Sequence, residues 1–360
     1  MPKLPPESLR ECSVERPSLP LEYPFELASL ERLIELHRAQ LDCQVLTHIR
    51  YKKAQFPLYS IELGARHQRC PTVLFVGGVH GVERIGTQVI LALLSSLLVR
   101  LHWDTHLQHL LMRIRLAFVP VVNPVGLLLG SRGNGNNVDL MRNAPIESQE
   151  RVSFLVGGQK WSAYLPWFRG QSEMEQETTA LVKYVQQLLN RSSSLISLDA
   201  HSGFGLSDHI WFPYAHTRAP FENANIIFHL KQLFEASYPH HLHYRLAPQS
   251  QFYRTHGDIW DFLFCQHQRL SSLSRIPFLP LTLEMGSWAW IKKNPRQVFN
   301  FAGFFNPQKT HRHHRILRRH TVLMQFLMEA AYARELEQLT TERLDALTFA
   351  AKQFWYREKT

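Results

Sequence analysis

Cysteine is scarce in this sequence. The chain contains 4 cysteines in 360 residues. They lie far apart, with no Cys-x-x-Cys spacing, at Cys12, Cys43, Cys70 and Cys265. This spacing argues against zinc held by cysteine thiolates and is typical of a protein in a reducing compartment.

Long hydrophobic runs are also missing. The most apolar stretch, residues 89–101, is too short for a membrane span and is interrupted by Ser95 and Ser96. The amino-terminal stretch, MPKLPPESLRECSVERP, has no apolar core behind its basic residue, so a secretory signal is not predicted. We therefore expect a cytoplasmic protein with no membrane partner.

The chain lacks a Gly/Ser/Pro-rich linker and an internal repeat between about residues 70 and 340. Apolar strands alternate with helical stretches over this range, which favours one α/β domain over two. At 360 residues and 45% apolar content, such a domain can bury a large core. We predict a Pro-rich amino-terminal arm at residues 1–24 and a single domain at residues 25–360.

Acidic residues are outnumbered by basic ones. Lysine and arginine total 40 against 30 acidic residues, a formal charge of +10, which favours acidic partners in general. The densest basic cluster is HRHHRILRRH at residues 311–320, where Ile316 and Leu317 fit the start of a helix. No nucleic-acid-binding motif accompanies the cluster. We therefore predict a solvated helix end or the rim of an acidic substrate's site, and no nucleic-acid partner.

What the chain does contain is an apolar run that ends in a histidine and a glutamate, VLFVGGVHGVE at residues 73–83. The His-x-x-Glu spacing alone carries little weight, because it arises by chance about once in a chain this rich in histidine. Its context is more specific: a β-branched run, a Gly77-Gly78 break and an apolar stretch of helical length indicate a strand, a turn and a helix. His80 and Glu83 would then lie beyond the carboxyl end of a strand, where open α/β sheets bind ligands. A helix cap with a surface histidine is the alternative.

Two further apolar segments deliver polar groups in the same way. LDAHSG places His201 after a buried strand at residues 194–200, and LTLEMGSW places Glu284 after another at residues 278–283. Asp199, two residues before His201, would point to the same side of its strand and could orient a ligand. Polar groups that follow three apolar strands predict one shared site.

Together these groups fit the requirements of amide hydrolysis. Two imidazoles and one carboxylate, from His80, His201 and Glu83, can hold zinc with a fourth position open for water. Glu284 follows a nearly apolar strand and would be costly to bury without a function or a partner. A partly desolvated glutamate beside such a water is a suitable general base. A structural salt bridge is the alternative for Glu284.

The order of the segments HGVE, SRGNGNNVDLMRN, LDAHSG, YRTHGDIWDF and LTLE resembles the zinc carboxypeptidases of the carboxypeptidase A superfamily over about residues 60–330. The resemblance implies a three-layer α/β/α fold with a mixed, mostly parallel central sheet. It also implies one zinc ion held by His80, Glu83 and His201, with Glu284 as the general base.

The resemblance implies substrate-handling residues as well. Arg132 matches the arginine that polarises the scissile carbonyl, Arg142 the one that binds the substrate's terminal carboxylate, and Tyr253 the tyrosine that closes over the substrate. One position departs from the family, because Met141 stands where an asparagine is usual and offers no hydrogen-bond donor. Either Asn143 compensates for this change, or the substrate's terminus is held in another way.

The function predicted from these residues is zinc-dependent cleavage of a peptide or peptide-like amide next to a free carboxylate. The HGVE turn also resembles deacylases such as succinylglutamate desuccinylase and aspartoacylase, so an N-acyl amino acid is the alternative substrate. A catalytically inactive scaffold that binds through its basic surface is a third interpretation. The primary specificity pocket contains either Asp258 or Trp260. The histidines of residues 240–243 (HHLH) fit a surface strand or loop better than a second metal site.

Overall fold

The computed structural model describes residues 23–66, 69–270 and 275–357, and the strands found there form one sheet. The strands are β1 (Asp42–Tyr51), β2 (Ala54–Gly64), β3 (Cys70–Gly77), β4 (Arg115–Val119), β5 (Ser192–Ser202), β6 (Asp208–Phe212), β7 (Tyr244–Pro248) and β8 (Phe278–Met285). The helices are α1 (Phe25–Leu36), α2 (Arg84–Arg100), α3 (Thr105–Leu111), α4 (Pro124–Leu129), α5 (Gln176–Arg191), α6 (Ala224–Ser237), α7 (Ile259–Gln268), α8 (Trp288–Lys293), α9 (Thr310–Tyr332) and α10 (Thr341–Trp355).

The sheet is mixed, with its parallel strands in the centre. Its order is β1-β2-β4-β3-β5-β8-β6-β7, and the run β4-β3-β5-β8 is parallel throughout. Helices α2 and α9 contact each other and pack on β3 and β5, while α5 and α7 contact each other and pack on β5 and β8. Strands covered on both faces are apolar along their length, and every residue of β3, β4 and β8 is buried. The predicted three-layer α/β/α fold is confirmed.

The first hairpin turns at Lys52-Lys53, and Pro57 lies inside β2, opposite His48. Proline is tolerated there because β4 pairs only with residues 61–64 of β2, which leaves that part of the strand with a neighbour on one edge alone.

Two strands were not predicted. β6 and β7 are five residues each and pair in parallel with one another, and β6 pairs antiparallel with β8. Strands this short carry little periodic signal. The histidines at residues 240–243 precede β7 in a turn, in agreement with the surface location expected for them.

The basic stretch at residues 311–320 forms the first turns of α9, which begins at Thr310 and ends at Tyr332. The helix was expected to begin only near Ile316 and Leu317. Its buried positions are spaced at helical intervals, and they include Ile316, Leu323 and Leu327. The apolar residues therefore anchor the helix. His311, His314, Arg315 and Arg318 are exposed, whereas His320 is buried.

The remaining expectations concern the ends of the chain, membranes and cysteines. Of the predicted arm, residues 1–22 lie outside the described residues, so the division into an arm and one domain stays a prediction. Within the described ranges, no single helix is long and apolar enough to cross a membrane, although α2 and α3 pass that test together as a pair bent by 109°. Cys43, Cys70 and Cys265 are free thiols, and Cys12 lies outside the described residues.

Candidate active site

The carboxyl ends of β3, β5 and β8 bring the predicted metal ligands and the predicted base to one edge of the sheet. β3 ends at Gly77, and the turn that follows carries His80 and Glu83. His201 lies near the end of β5, paired in register with Glu284 on β8. Residues paired in this way on adjacent parallel strands point to the same face of the sheet. The register therefore places the predicted base beside a predicted ligand.

Two glycines allow the close packing that forms this turn. A Cβ atom on Gly81 would lie 1.9 Å from the carbonyl carbon of Gly126 at the start of α4. A Cβ atom on Gly86, in the first turn of α2, would lie 2.2 Å from the carbonyl oxygen of Ala200 on β5. Larger residues would separate these backbones, so both glycines help to hold the segments that carry His80 and His201 together.

The three predicted ligands converge. Nδ1 of His80 lies 2.9 Å from Oε1 of Glu83, and Nδ1 of His201 lies 3.1 Å from Oε2 of the same carboxylate. The two Nδ1 atoms are 3.2 Å apart, and one ligand atom from each residue falls within 4.8 Å of the others. All three residues are buried. Two imidazole nitrogens and a carboxylate oxygen are a donor set that zinc prefers, so these residues fit a zinc ion.

The outer nitrogen of each imidazole faces a buried carboxylate. Nε2 of His80 lies 3.0 Å from Oδ1 of Asp139, and Nε2 of His201 lies 2.9 Å from Oδ2 of Asp199. The indole of Trp260 donates to the same oxygen of Asp199. A carboxylate behind a ligating imidazole orients the ring and leaves the inner nitrogen free to bind the metal. Asp199 was expected in this position from its spacing along β5.

Asp139 was not predicted. It accepts hydrogen bonds from Arg132 at 2.9 Å and from Arg142 at 3.3 Å, in addition to its contact with His80. Burial opposes ionisation, but the two arginines outweigh it and hold the pKa of Asp139 well below its usual range. The residue lies in an irregular, Gly/Asn-rich segment at residues 130–143. No strand or helix period shows there which side chains point inward. Only its position in the DLMRN motif marks it.

Both predicted substrate-handling arginines, Arg132 and Arg142, line the cavity that the three predicted metal ligands also line. Arg132 donates from Nη1 to Glu83 at 3.0 Å. Its pKa is raised because Asp139 and Glu83 outweigh the opposing effect of burial. Arg142 donates from Nε to the carbonyl of Val156, which fixes the plane of its guanidinium. Both cations are therefore held in place by protein groups.

Asn143 differs from the prediction. Its amide donates to the carbonyl of Arg169 at 2.9 Å and its oxygen accepts from the backbone N–H of Glu175 at 2.6 Å. It is buried and absent from the cavity wall. Asn143 therefore ties the irregular segment to the start of α5, and it does not compensate for Met141, which does line the cavity.

Glu284 and Tyr253 lie in the same cavity. Oε1 of Glu284 accepts the backbone N–H of Phe204 at 2.9 Å. Burial, followed by the charge of Glu83, raises the pKa of Glu284 to about 8. Burial likewise raises the pKa of Tyr253 to about 12, so its phenol stays protonated and can donate a hydrogen bond at neutral pH.

The cavity that contains these groups has a volume of about 920 Å³. Asp258 lines this cavity. Trp260 does not line it, because its indole donates to Asp199 behind the predicted ligand His201. Of the two candidates for the specificity pocket, Asp258 is therefore the one that faces the cavity. Asp258 caps α7 by accepting the backbone N–H groups of Trp260 and Asp261. Burial and then the charge of Asp261 raise the pKa of Asp258 to about 7.

The central sheet of this α/β/α fold presents two imidazoles, a carboxylate and a buried glutamate at the ends of its parallel strands. This arrangement is typical of a metallohydrolase. The sequence profile of the zinc carboxypeptidases matches residues 50–287. The chain belongs to this family.

Individual relatives agree with that placement. The chain is 33% identical over 93 residues to carboxypeptidase SOL1 of Arabidopsis thaliana, covering 25% of this chain and 19% of that protein. It is 26% identical over 203 residues to the catalytic chain of carboxypeptidase N of Rattus norvegicus, covering 50% and 42%. The chain thus spans less than half the length of these curated relatives. The crystal structure of carboxypeptidase A from Helicoverpa armigera has a similar fold, with a TM-score of 0.62 at 17% identity, covering 85% of this chain and 71% of that one.

Proposed function

We propose that this protein is a zinc-dependent carboxypeptidase that cleaves a peptide or peptide-like amide next to a free carboxylate. The observation that carries the proposal is the convergence of His80, Glu83 and His201 beside Glu284 in one cavity. His80, Glu83 and His201 would hold one zinc ion. Bound there, zinc would lower the pKa of a coordinated water toward about 7 and polarise the scissile carbonyl.

Glu284 is the general base in this proposal. Its second oxygen is not the one fixed by Phe204, so it remains to accept a proton from the attacking water. In the following step, the same carboxyl can return that proton to the leaving amine.

Arg132 and Arg142 supply positive charge at two points of the substrate. Arg132 lies against Glu83, one of the metal ligands, where it can stabilise negative charge on the carbonyl oxygen as the tetrahedral centre forms. Arg142, next to Tyr253, can bind the terminal carboxylate through a planar guanidinium. Because Met141 adds no donor, Arg142 and the phenol of Tyr253 would hold that carboxylate between them.

The size of the cavity favours a peptide over a small N-acyl amino acid. Its volume of about 920 Å³ is near the upper end of the range for ligand pockets, about 300–1,000 Å³. A substrate that fills such a cavity extends beyond the scissile bond on both sides. The deacylase interpretation requires a much smaller ligand.

The test is turnover by the zinc-loaded protein of two substrate panels, blocked peptides and N-acyl amino acids. Release of a C-terminal residue is expected, and release of a small acid instead would support the deacylase. Glu284→Gln is expected to reduce kcat by about 10²–10⁴-fold with zinc content unchanged. Unchanged turnover in that variant would contradict the proposed mechanism.

A further inference from the structure

Residues 285–328 contain eight lysines and arginines and no aspartate or glutamate. This stretch immediately follows Glu284 and forms α8, two short 3-10 helices and most of α9. The formal charge of the whole chain is +10, so much of its excess positive charge is concentrated here.

Arg319 pairs with Asp208, but five other basic side chains of this stretch are exposed and have no ion pair with a described residue. We call Lys292, Lys293, Arg296, Lys309 and Arg315 the basic shelf. All five are exposed, and within the described ranges none has a carboxylate inside ion-pair distance. Arg312 joins the two halves of the shelf, because its guanidinium donates to the carbonyls of Trp290 and Lys293. A cluster of unpaired cations of this kind creates a positive potential that attracts anionic ligands.

The shelf is continuous with the mouth of the active-site cavity. Trp288, Phe301, Phe304 and Phe305 line that cavity, and we call them the aromatic lip. Trp288 is the first residue of α8, so Lys292 lies about 6 Å further along the helix axis. The lip is attached beside the ligand His201, because Trp288 donates to the carbonyl of Gly203 and Ser202 donates to the carbonyl of Phe305.

The lip and the proposed carboxylate site are held by different segments. Arg142 is fixed by the carbonyl of Val156, whereas the lip is fixed to residues 202 and 203. With its terminal carboxylate at Arg142 and its last amide at the predicted metal ligands, a peptide can extend its amino-terminal part over the lip, which lines the same cavity, toward the shelf. Acidic side chains in that part of the peptide would meet the unpaired cations.

We propose that the basic shelf binds acidic residues on the amino-terminal side of the scissile bond, so that the preferred substrates are peptides with an acidic stretch before their C-terminal residue. This inference rests on the proposed carboxypeptidase function and adds the class of substrate. A nucleic acid is the other polyanion that such a surface attracts, but a shelf that adjoins a peptidase cavity favours an acidic peptide.

The turnover test compares two peptides with the same C-terminal residue, one with three glutamates before it and one with three glutamines. At low salt, kcat/KM is expected to be roughly tenfold higher for the glutamate peptide, because each exposed charge pair contributes a few-fold at most. The preference is expected to shrink as added salt screens the charges. Equal values for the two peptides would overturn the proposal.

Charge-removing variants locate the preference. In the triple variant Lys292→Gln, Lys293→Gln, Arg296→Gln, the ratio of the two kcat/KM values is expected to fall toward one. The matched control is Lys183→Gln, Arg343→Gln, Lys352→Gln, which removes three exposed charges from α5 and α10. The control is expected to keep the wild-type ratio, and a ratio that falls equally in both variants would overturn the assignment to the shelf.

A binding measurement separates this inference from the proposed function. Fluorescence anisotropy with the labelled peptides and Glu284→Gln is expected to show tighter binding of the glutamate peptide, and weaker binding when the shelf triple is added. This result requires no turnover, so it supports the shelf even if the proposed activity fails. Equal binding of both peptides, or tighter binding of a single-stranded oligonucleotide than of the glutamate peptide, would overturn the proposal.

Discussion

At the scale of single residues, the site depends on two buried carboxylates outside the proposed set of zinc ligands. Asp139 and Asp199 lie behind the two imidazoles, and each carboxylate lies within 3.0 Å of the nitrogen that does not face Glu83. Asp139 also holds Arg132 and Arg142. The orientation of a ligand and of both arginines therefore depends on one buried carboxylate.

Replacing Asp199 tests this arrangement. Asp199→Asn keeps the volume of the side chain but removes its charge, so it is expected to weaken zinc binding by about 10–100-fold. Competition with a chelator of known affinity measures the change. Trp260→Phe is the control, since it removes only the indole that shares this carboxylate. Zinc affinity within a few-fold of wild type in Asp199→Asn would contradict the role given to Asp199.

Replacing Glu284 affects stability as well as turnover. Burial raises the pKa of its carboxyl from 4.5 to about 8 in the metal-free protein. The native state therefore keeps a proton that the unfolded chain has already released, and stability falls as the pH rises from about 4.5 to 8. In the metal-free Glu284→Gln variant, the side chain at position 284 cannot ionise. This variant is expected to be more stable than wild type at pH 9, by a few kcal/mol at most, with a smaller difference at pH 6.

Denaturant unfolding of both proteins at the two pH values measures this difference. The zinc-loaded proteins serve as the comparison, since a bound cation stabilises the ionised carboxylate. A stability difference between the metal-free proteins that does not grow with pH would mean that Glu284 ionises normally.

At the scale of elements, the turn after β3 and the starts of α2 and α4 form one packed unit. Gly81→Ala would place a methyl group 1.9 Å from the backbone of Gly126, a contact that neither backbone can relieve. We expect a loss of about 1–3 kcal/mol in the free energy of unfolding and weaker zinc binding.

The control for this variant is Gly130→Asn. Gly130 ends α4 at φ 60°, and a Cβ atom there meets no other atom within 4 Å. Asparagine tolerates this backbone conformation, so stability and zinc content are expected to change little. If Gly81→Ala is as stable as Gly130→Asn, the turn is not as closely packed as the distances indicate.

The elements also show which features the sequence could predict. β3, β5 and β8 were located because buried parallel strands are apolar along their length, and their ends then gave His80, Glu83, His201 and Glu284. β6 and β7 were missed because a pattern of five residues is too short to recognise. Asp139 and the structural use of Asn143 were missed for a different reason: irregular segments have no period, so their contacts depend on the folded chain.

At the scale of the whole molecule, the proposed zinc ligands connect segments more than a hundred residues apart in the chain. Chelation of zinc is therefore expected to lower the melting temperature, because the folded chain forms the site and the unfolded chain does not. At a zinc concentration 100 times the Kd, the stabilisation is about 2.7 kcal/mol.

Scanning calorimetry with and without zinc measures this effect, and His201→Ala, which removes one ligand, is the control. Zinc should restore the melting temperature of chelated wild type and have little effect on the variant. An equal shift in both proteins would place the zinc elsewhere.

The side chain of Asn306 makes the aromatic lip part of the same unit as the proposed zinc ligands. It accepts a hydrogen bond from the backbone N–H of Ile85 and donates one to the carbonyl of Val82. These two residues flank Glu83 and Arg84 in the chain. Engineering the lip for new substrates would therefore disturb Glu83 unless Asn306 were retained. A loop transplanted from a relative should stop short of that asparagine.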